Sequence, residues 1–210
     1  MNIASLRQEY MRAGLAESEV DRDPMRQFER WFEDALRAEL PLVNAMTLAT
    51  VGAAGQPSAR VVLLKGVDGG GFVFYTNYAS RKARELEAKG AACLVFMWSP
   101  LERQVRIDGA IERVSGADSD AYYKSRPLGA RLSAWASPQS ERVASRAVLE
   151  SAMGEVKQRY GDAPPRPPHW GGYRVLPTEI EFWQGRADRL HDRLVYKRSG
   201  TSWTVERLAP

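Results

Sequence analysis

The sequence predicts an α+β protein built on an antiparallel β-barrel. Short apolar stretches of the 210-residue chain are joined by glycine-containing turns at hairpin spacing, such as the Asp-Gly-Gly-Gly turn at 68–71. The expected strands, about seven or eight in number, come in clusters with helices inserted between the groups. This order lacks the βαβ alternation of a doubly wound parallel sheet and therefore favours an antiparallel barrel with flanking helices.

The first half of the chain is expected to begin with helices and continue with hairpins. One short helix is expected over 3–13, and a second opens at Asp23 and Pro24, an N-cap followed by proline in the first helical position. Strands are then expected at 45–51, 59–67 and 71–76. A helix follows between Ser80, its predicted N-cap, and Gly90, its predicted stop.

The second half of the chain is expected to contain two long helices and the remaining strands. Strands are expected at 92–98 and 103–114, helices at 117–135 and 139–160, and further strands at 173–176, 179–183, 190–197 and 202–207. The stretch 163–168 holds four prolines and cannot continue a helix, so we expect an extended connector within the domain.

Composition limits the class of protein. Hydrophobic residues make up 44% and charged residues 27% of the chain, which is ordinary for one folded globular domain. No apolar run approaches the ~20 residues that cross a bilayer, and the N-terminus lacks the apolar core of a signal peptide, so we expect a cytoplasmic protein without membrane association. With Cys93 as the only cysteine and two histidines, no metal site is expected.

Nucleic acid is not an expected partner. The net charge of +4 is spread among acidic residues without forming a basic run or tail, and no groove-reading motif is present. Small anionic ligands fit this charge equally well. The motifs of P-loop, Rossmann and GxSxG sites are absent, so those sites are not supported.

Two cations bracket the apolar stretch from Arg60 to Lys65. In a continuous strand their side chains would point to opposite faces, so one of them would point into a site. The alternative is that both lie at strand ends and reach water along their alkyl stems. The segment alone leaves both interpretations open.

A helix start with two basic residues is the clearest sign of an anion site. Ser80 caps this helix, and Arg81 and Lys82 occupy its first turn, where the positive end of the helix dipole disfavours cations unless an anion binds. Ordinary capping with chance basic residues remains the alternative.

Near the C-terminus, Arg189, His191 and Arg193 alternate with other residues. If the segment is a strand, the period of two places all three on one face, which suits a phosphate or a carboxylate. A charged edge strand that resists aggregation is the alternative. On the helix before Pro127, the spacing of Tyr122 and Arg126 similarly places a hydroxyl and a guanidinium on one face.

These segments resemble, in order and spacing, a known family. RVVLLK, FYTN followed by SRK, LERQV, YYKSRP, the Gln-Ser pair at 139–140, HWGGYRV, IEFWQG and RLHDR are similar to the motifs of the FMN-dependent pyridoxine (pyridoxamine) 5′-phosphate oxidase family. The resemblance covers nearly the whole chain. It implies an FMN-binding split-barrel fold over 21–210, an N-terminal helical lid over 1–20 and a homodimer with FMN at the subunit interface.

The resemblance also implies a function and residue roles. The implied reaction is oxidation of pyridoxine or pyridoxamine 5′-phosphate to pyridoxal 5′-phosphate, by hydride transfer to FMN and reoxidation by dioxygen to give hydrogen peroxide. A non-catalytic flavin or pyridoxal phosphate carrier of the same fold is the alternative. Residues that match the family's FMN contacts are Arg60, Lys65, Tyr75, Thr76, Arg81, Lys82, Gln104, Gln139, Ser140, Trp183 and Arg193.

The implied substrate contacts form a second set. Lys65, Tyr122 and Arg126 match residues that hold the substrate phosphate, Arg189 and His191 match catalytic residues beside the pyridine ring, and Arg7 and Tyr10 match the lid. Where the family usually has a serine, this chain has Ala130. We hypothesise that Arg131 or Ser133 compensates for the missing hydroxyl.

Overall fold

The computed structural model describes residues 14–210, in which nine strands form a single antiparallel sheet curled into a half-barrel. The strands are β1 (Ala45–Val51), β2 (Pro57–Leu63), β3 (Gly66–Asp68), β4 (Gly71–Asn77), β5 (Ala91–Trp98), β6 (Arg103–Arg113), β7 (Trp170–Gln184), β8 (Asp192–Ser199) and β9 (Ser202–Arg207). The helices are α1 (Pro24–Arg37), α2 (Arg81–Lys89), α3 (Gly116–Ser125), α4 (Leu128–Ala136) and α5 (Arg146–Tyr160). The predicted α+β class with an antiparallel barrel is confirmed.

The sheet divides along β7. The main path runs β2-β1-β5-β6-β7-β4-β3, while β8 also pairs with β7 and carries β9 on its far side. One edge of β7 pairs with β6 along its length, and the other edge pairs first with β4, over 170–175, and then with β8, over 179–184. A single long strand thereby connects two parts of the sheet.

A bulge lies where β7 changes partners. Gly109 of β6 pairs with Pro177 and Asp108 pairs with Glu179, so Thr178 is the extra residue. Proline lacks the N–H that a regular ladder needs, and bulges are where a sheet accepts it. The hydroxyl of Thr178 donates to the carbonyl oxygen of Asp108 at 3.1 Å and holds the irregular pair together.

Helix α1 closes the core of the half-barrel. The Asp23 side chain accepts from the backbone N–H of Met25, as expected for the N-cap. The ring of Phe28 packs edge-on against Phe72, with centroids 4.9 Å apart, and Trp31 packs in the same way against a β7 phenylalanine. Phe28 and Trp31 are almost fully buried, so this apolar helical face stabilises the fold through burial.

Several predicted elements were wrong in their bounds. The helix expected at 117–135 breaks into α3 and α4 at Pro127, because proline restricts the preceding residue to extended conformations. The helix expected from 139 begins only at Arg146. The strand expected at 59–67 is interrupted between β2 and β3, and those expected at 173–176 and 179–183 are the single strand β7. The helix expected at 3–13 lies outside the described residues.

Replacing Gly109 with alanine is expected to destabilise the protein. A Cβ atom at this buried position would lie 2.2 Å from the carbonyl oxygen of Leu176, and backbone cannot move away as a flexible side chain can. We expect the free energy of unfolding to fall by about 3 kcal/mol in chemical denaturation.

Gly154 provides the matched control for this substitution. It lies within α5, where a Cβ would meet no atom within 4 Å, so Gly154→Ala is expected to raise the free energy of unfolding by about 0.5–1 kcal/mol. Equal stability of the two variants would contradict the proposed clash.

Candidate active site

A cavity of about 590 Å³ lies between the β2–β4 region and the helices that follow β6. Its cations are Arg60, Lys65, Lys82 and Arg126, its aromatic residues are Tyr75, Tyr122 and Trp170, and its other polar residues include Thr76, Asn77, Ser133, Ser137 and Gln139. No Asp or Glu is among the lining residues from the described part of the chain. Four cations without a carboxylate at the surface of a cavity favour an anionic ligand.

Arg60 and Lys65 both reach this cavity, although their spacing in a continuous strand predicts opposite faces. The expectation that only one of them points into a site was wrong, because both line the cavity; β2 ends at Leu63, and Leu64 and Lys65 connect it to β3. The backbone N–H of Lys65 donates to the carbonyl of Val73 on β4, which holds this connection in place. Both charges therefore belong to one site.

One end of the cavity lies at the start of α2. Ser80 is the N-cap, and its hydroxyl accepts from the backbone N–H of Ala83. The Nζ of Lys82 lies 3.3 Å from both the Thr76 hydroxyl and the side-chain oxygen of Gln139. Burial lowers the pKa of Lys82, and the nearby charge of Arg60 lowers it further. A bound anion would relieve this unfavourable environment.

Arg81 and Ser140 are not among the lining residues, but each is next in sequence to one that is, Lys82 and Gln139. The backbone N–H of Arg81 donates to the hydroxyl of Ser140 at 3.1 Å. Ser140 has a φ of 76°, an uncommon conformation for a residue with a side chain, which is typical of binding sites. This contact ties the segment before α5 to the start of α2.

Aromatic rings and Arg126 form the other end. The rings of Tyr75 and Tyr122 are stacked, with centroids 4.0 Å apart, and Trp170 lies nearly parallel to Tyr75 at 5.5 Å. The guanidinium of Arg126 lies 4.6 Å from the Trp170 ring centroid. Burial lowers the pKa of Arg126.

Arg126 is also left with an unsatisfied donor, because its Nη1 is buried without a hydrogen-bond partner in the described structure. A buried guanidinium donor that lacks an acceptor is costly unless a ligand supplies one.

Two sequence predictions concern this part of the cavity. Arg126 is the residue after α3 and not part of it, yet Tyr122 and Arg126 both line the cavity as expected. Of the two residues named to compensate for Ala130, Ser133 lines the cavity and Arg131 is not among its lining residues.

A second group of predicted site residues lies on the other part of the sheet. Gln104 pairs with Trp183, and Trp183 pairs with Arg193, so the three are neighbours across β6, β7 and β8. The buried carboxylate of Glu181 accepts from Nε and Nη2 of Arg193 at 2.7 and 3.1 Å. This bidentate pair fixes the direction of the guanidinium.

The two groups are separate within one chain. Gly172, which pairs with Tyr75, and Trp183 are eleven residues apart on β7, which corresponds to roughly 35 Å of strand. Gln104, Trp183 and Arg193 are not among the residues that line the cavity in the described part of the chain.

Arg189 and His191 lie on a turn, so the prediction that they share a strand face with Arg193 was wrong. Asp188 and Arg189 have φ of 55° and 60°, a left-handed conformation that the ladder of a regular strand does not contain, and β8 begins only at Asp192. The Nδ1 of His191 accepts from the backbone N–H of Arg186 at 3.1 Å. The ring proton is therefore on Nε2 in the neutral tautomer.

Arg7 and Tyr10, the remaining predicted residues, lie outside the described residues. Among those described, the cavity adds Asn77 and Trp170, and buried Glu85 lies behind Arg60. Glu85 could have been found from its spacing of four after Arg81 on one helix, and Trp170 belongs to the motif HWGGYRV. No comparable sequence pattern points to Asn77, which is the last residue of β4.

No helix in residues 14–210 is both long and apolar enough to span a membrane.

Two family models match the chain. Residues 32–160 match the family model described as pyridoxamine 5′-phosphate oxidase, and residues 170–210 match the pyridoxine 5′-phosphate oxidase C-terminal dimerisation region.

Individual relatives agree with these matches. The pyridoxine/pyridoxamine 5′-phosphate oxidase of Ralstonia pickettii is 62% identical over 210 residues, covering 100% of this chain and 99% of the relative. That of Thermosynechococcus vestitus is 61% identical over 208 residues, covering 99% of each.

Solved structures share the fold. PhzG from Burkholderia lata, in complex with tetrahydrophenazine-1-carboxylic acid, is similar with a TM-score of 0.89 and 32% identity over 95% of this chain and 99% of that one. A pyridoxamine 5′-phosphate oxidase-related, FMN binding protein from Nostoc punctiforme has a TM-score of 0.71 at 19% identity, over 91% of this chain and 100% of its own. This chain therefore belongs to the pyridoxamine 5′-phosphate oxidase family and has its split-barrel fold.

Proposed function

We propose that the protein is an FMN-dependent oxidase that converts pyridoxine and pyridoxamine 5′-phosphates to pyridoxal 5′-phosphate, with dioxygen as the electron acceptor. The observation that carries the proposal is the cavity with cations at two ends and stacked aromatic rings at one of them. Two anionic groups can be held there, which matches a cofactor phosphate and a substrate phosphate. Membership of the family supports the assignment.

The end beside α2 fits the phosphate of FMN. Arg60, Arg81 and Lys82 supply charge, the Ser140 hydroxyl lies at the helix start, and the positive end of the helix dipole adds to the attraction. Lys65, Tyr75, Thr76 and Gln139 line the same cavity and would contact the rest of the cofactor. When bound, FMN would supply the redox chemistry, by hydride acceptance from the substrate's C4′ carbon and reoxidation by dioxygen with release of hydrogen peroxide.

The other end fits the phosphate of the substrate. Lys65 and Arg126 supply charge, and Tyr122 supplies a hydroxyl. Ser133 supplies a second hydroxyl, since it lines the cavity three residues after Ala130. Its hydroxyl donates to the Ala130 carbonyl at 3.1 Å and would turn toward a bound phosphate. Ser133 therefore takes the part expected of the missing serine.

A homodimer would complete the site. Gln104, Trp183 and Arg193 lie roughly 35 Å of strand away from the cavity in the same chain, so they would serve the cavity of a second subunit. The dimerisation region matched at 170–210 contains two of these three residues. A twofold axis would make the two cavities equivalent, each lined by both chains.

Arg189 and His191 are proposed to orient the reacting part of the substrate. Arg189 is exposed at the tip of the turn, and the Nε2–H of His191 is a donor whose ring is held by the Arg186 backbone and lies 4.6 Å from the Trp183 ring. These groups would fix the pyridine ring and stabilise charge that develops on it during oxidation.

The segment 1–20 is proposed to act as a lid on the single domain formed by 21–210. Its described end is tied to β8 and β9, directly after the turn that carries Arg189 and His191: the backbone N–H of Leu15 donates to Asp192 at 2.9 Å, and Arg207 pairs with Glu17 at 2.7 Å. The family resemblance gives Arg7 and Tyr10, which lie outside the described residues, the role of contacting the substrate.

The purified protein tests this proposal directly. We expect a yellow flavin spectrum that bleaches when pyridoxamine 5′-phosphate is added without oxygen, and that recovers in air with formation of hydrogen peroxide and pyridoxal 5′-phosphate. Pyridoxamine without phosphate is the control and should bleach the flavin much more slowly. A yellow colour that is indifferent to substrate would indicate a carrier, and a protein that binds no flavin would refute the assignment.

A further inference from the structure

A buried carboxylate lies behind the cations at the start of α2. Glu85 lies in the second turn of α2, on the side that contacts β1 and β2, and only 8% of its side chain is exposed. Its Oε2 accepts from the hydroxyls of Thr50 and Ser58 at 2.5 Å each and from Arg60 at 3.2 Å, and its Oε1 accepts from Arg81 at 2.7 Å. We call these five residues the Glu85 cluster.

The terminal nitrogens of Arg60 are held by hydrogen bonds, most of them within the Glu85 cluster. Nη1 of Arg60 donates to the Thr50 hydroxyl at 2.5 Å and to the Leu48 carbonyl at 3.2 Å, and Nη2 donates to the Ser58 hydroxyl at 2.5 Å and to Glu85. The four terminal N–H groups thus all donate within the protein, so Arg60 would act on an anion through its charge and its Nε–H. Both terminal nitrogens are thereby held by groups on β1, β2 and α2. The guanidinium has one orientation at the wall of the cavity, and its side chain is 20% exposed.

The same carboxylate holds Arg81 from the other side. The Nε of Arg81 donates to Glu85, while the side chain is 58% exposed, so its terminal nitrogens are left for a ligand beside Lys82, which lines the cavity. Arg60 comes from β2 and Arg81 from α2, and Glu85 is the group that both contact. A long arginine side chain at a surface otherwise loses rotamer freedom on binding a ligand.

Glu85 stays ionised under ordinary conditions. Burial raises the pKa of its carboxyl, but hydrogen bonds from Ser58, Thr50, Arg81 and Arg60 outweigh that effect and hold the pKa at about 2. The carboxylate is not among the residues that line the cavity in the described structure, so it would not meet the cofactor itself.

Resting on the proposed function, we propose that Glu85 is a positioning residue that aligns the guanidiniums of Arg60 and Arg81 for the phosphate of FMN. The negative charge of Glu85 by itself would repel a phosphate, so its benefit lies in preorganisation of the two cations. If the role of Glu85 were purely structural, the residue would stabilise the packing of α2 against β1 and β2, and its loss would not distinguish a flavin with a phosphate from one without.

Binding of two flavins separates these roles. FMN carries the phosphate and riboflavin lacks it, so full-length protein freed of flavin is titrated with each and the quenching of flavin fluorescence is measured. For Glu85→Gln we expect the Kd for FMN to rise roughly 10-fold while the Kd for riboflavin changes less than about 2-fold, because only FMN uses the aligned cations.

Glu87 supplies the matched control on the same helix. Its carboxylate accepts from the Tyr173 hydroxyl at 2.6 Å and from Arg113 at 2.8 Å, and these partners are not lining residues of the cavity. Glu87→Gln should leave the ratio of the two flavin affinities unchanged. An equal loss of FMN and riboflavin binding in Glu85→Gln, or no loss of either, would overturn the positioning role.

A milder variant covers the case in which Glu85→Gln does not fold. Ser58→Ala keeps the Glu85 charge and removes one hydroxyl that bridges Glu85 and Arg60, so we expect a 2- to 4-fold rise (roughly) in the Kd for FMN alone. An unchanged Kd for FMN in this variant would contradict the proposal. If the wild-type protein itself binds no FMN, the proposed function fails first, which distinguishes the two failures.

Discussion

Replacing Arg126 with leucine is expected to lower kcat/KM for pyridoxamine 5′-phosphate by about 10- to 100-fold, mainly through a higher KM. The buried Nη1 of Arg126 has no acceptor in the described structure, and its guanidinium is held over Trp170 beside the cavity. A phosphate would supply the missing acceptor, and leucine cannot make that charge-assisted hydrogen bond. Steady-state kinetics with the phosphorylated and unphosphorylated amine measure the effect.

The unphosphorylated amine serves as the internal control, since the loss should be less than about 3-fold for a substrate that has no phosphate to bind. Ala130→Ser is the matched variant at the same end of the cavity. Because Ser133 already presents a hydroxyl there, we expect Ala130→Ser to tighten substrate binding by less than about 10-fold. Equal losses for both amines in Arg126→Leu would show that Arg126 does not hold the substrate phosphate.

Replacing Arg189 with methionine is expected to reduce kcat by roughly 100-fold while FMN content stays unchanged. Arg189 is exposed on the turn at a φ of 60°, and methionine keeps an unbranched side chain at that position. Loss of the cation would remove orientation of the pyridine ring without a cost to folding. Turnover, flavin absorbance and the thermal midpoint Tm, measured on one preparation, separate these effects.

Arg186 lies on the same turn and gives the control for this experiment. Its side chain lies 3.5 Å from Asp192, and its backbone N–H, which holds His191, is unaffected by a change of side chain. Arg186→Met should therefore alter kcat by less than about 3-fold. Wild-type turnover in Arg189→Met would remove Arg189 from the proposed machinery.

Much of the fold could be predicted because its signals are local. The N-cap at Asp23, the cap at Ser80 and the glycine stop at Gly90 all involve groups within a few residues of one another. Strand β1 was predicted with its observed bounds. The interrupted helix at Pro127 also had a local signal, which the prediction of a continuous helix overlooked.

The candidate site was only partly predictable. The basic helix start at Arg81 and Lys82 indicated an anion site, and the structure brings Lys82 to a cationic cavity. The strand period that joined Arg189, His191 and Arg193 assumed an extended backbone, whereas two left-handed residues bend the chain into a turn. Left-handed conformation at residues other than glycine has only a weak sequence signal.

The sequence by itself determined the class of fold, the position of the main strands and the expectation of an anionic ligand, because hydrophobic pattern, turn residues and caps act over short separations. Only the tertiary structure decided which cations share the cavity. Arg60 and Lys65 both line it, and Glu85 joins Thr50 from 35 residues away. Such contacts depend on strand pairing and helix docking across the whole chain, so no local pattern encodes them.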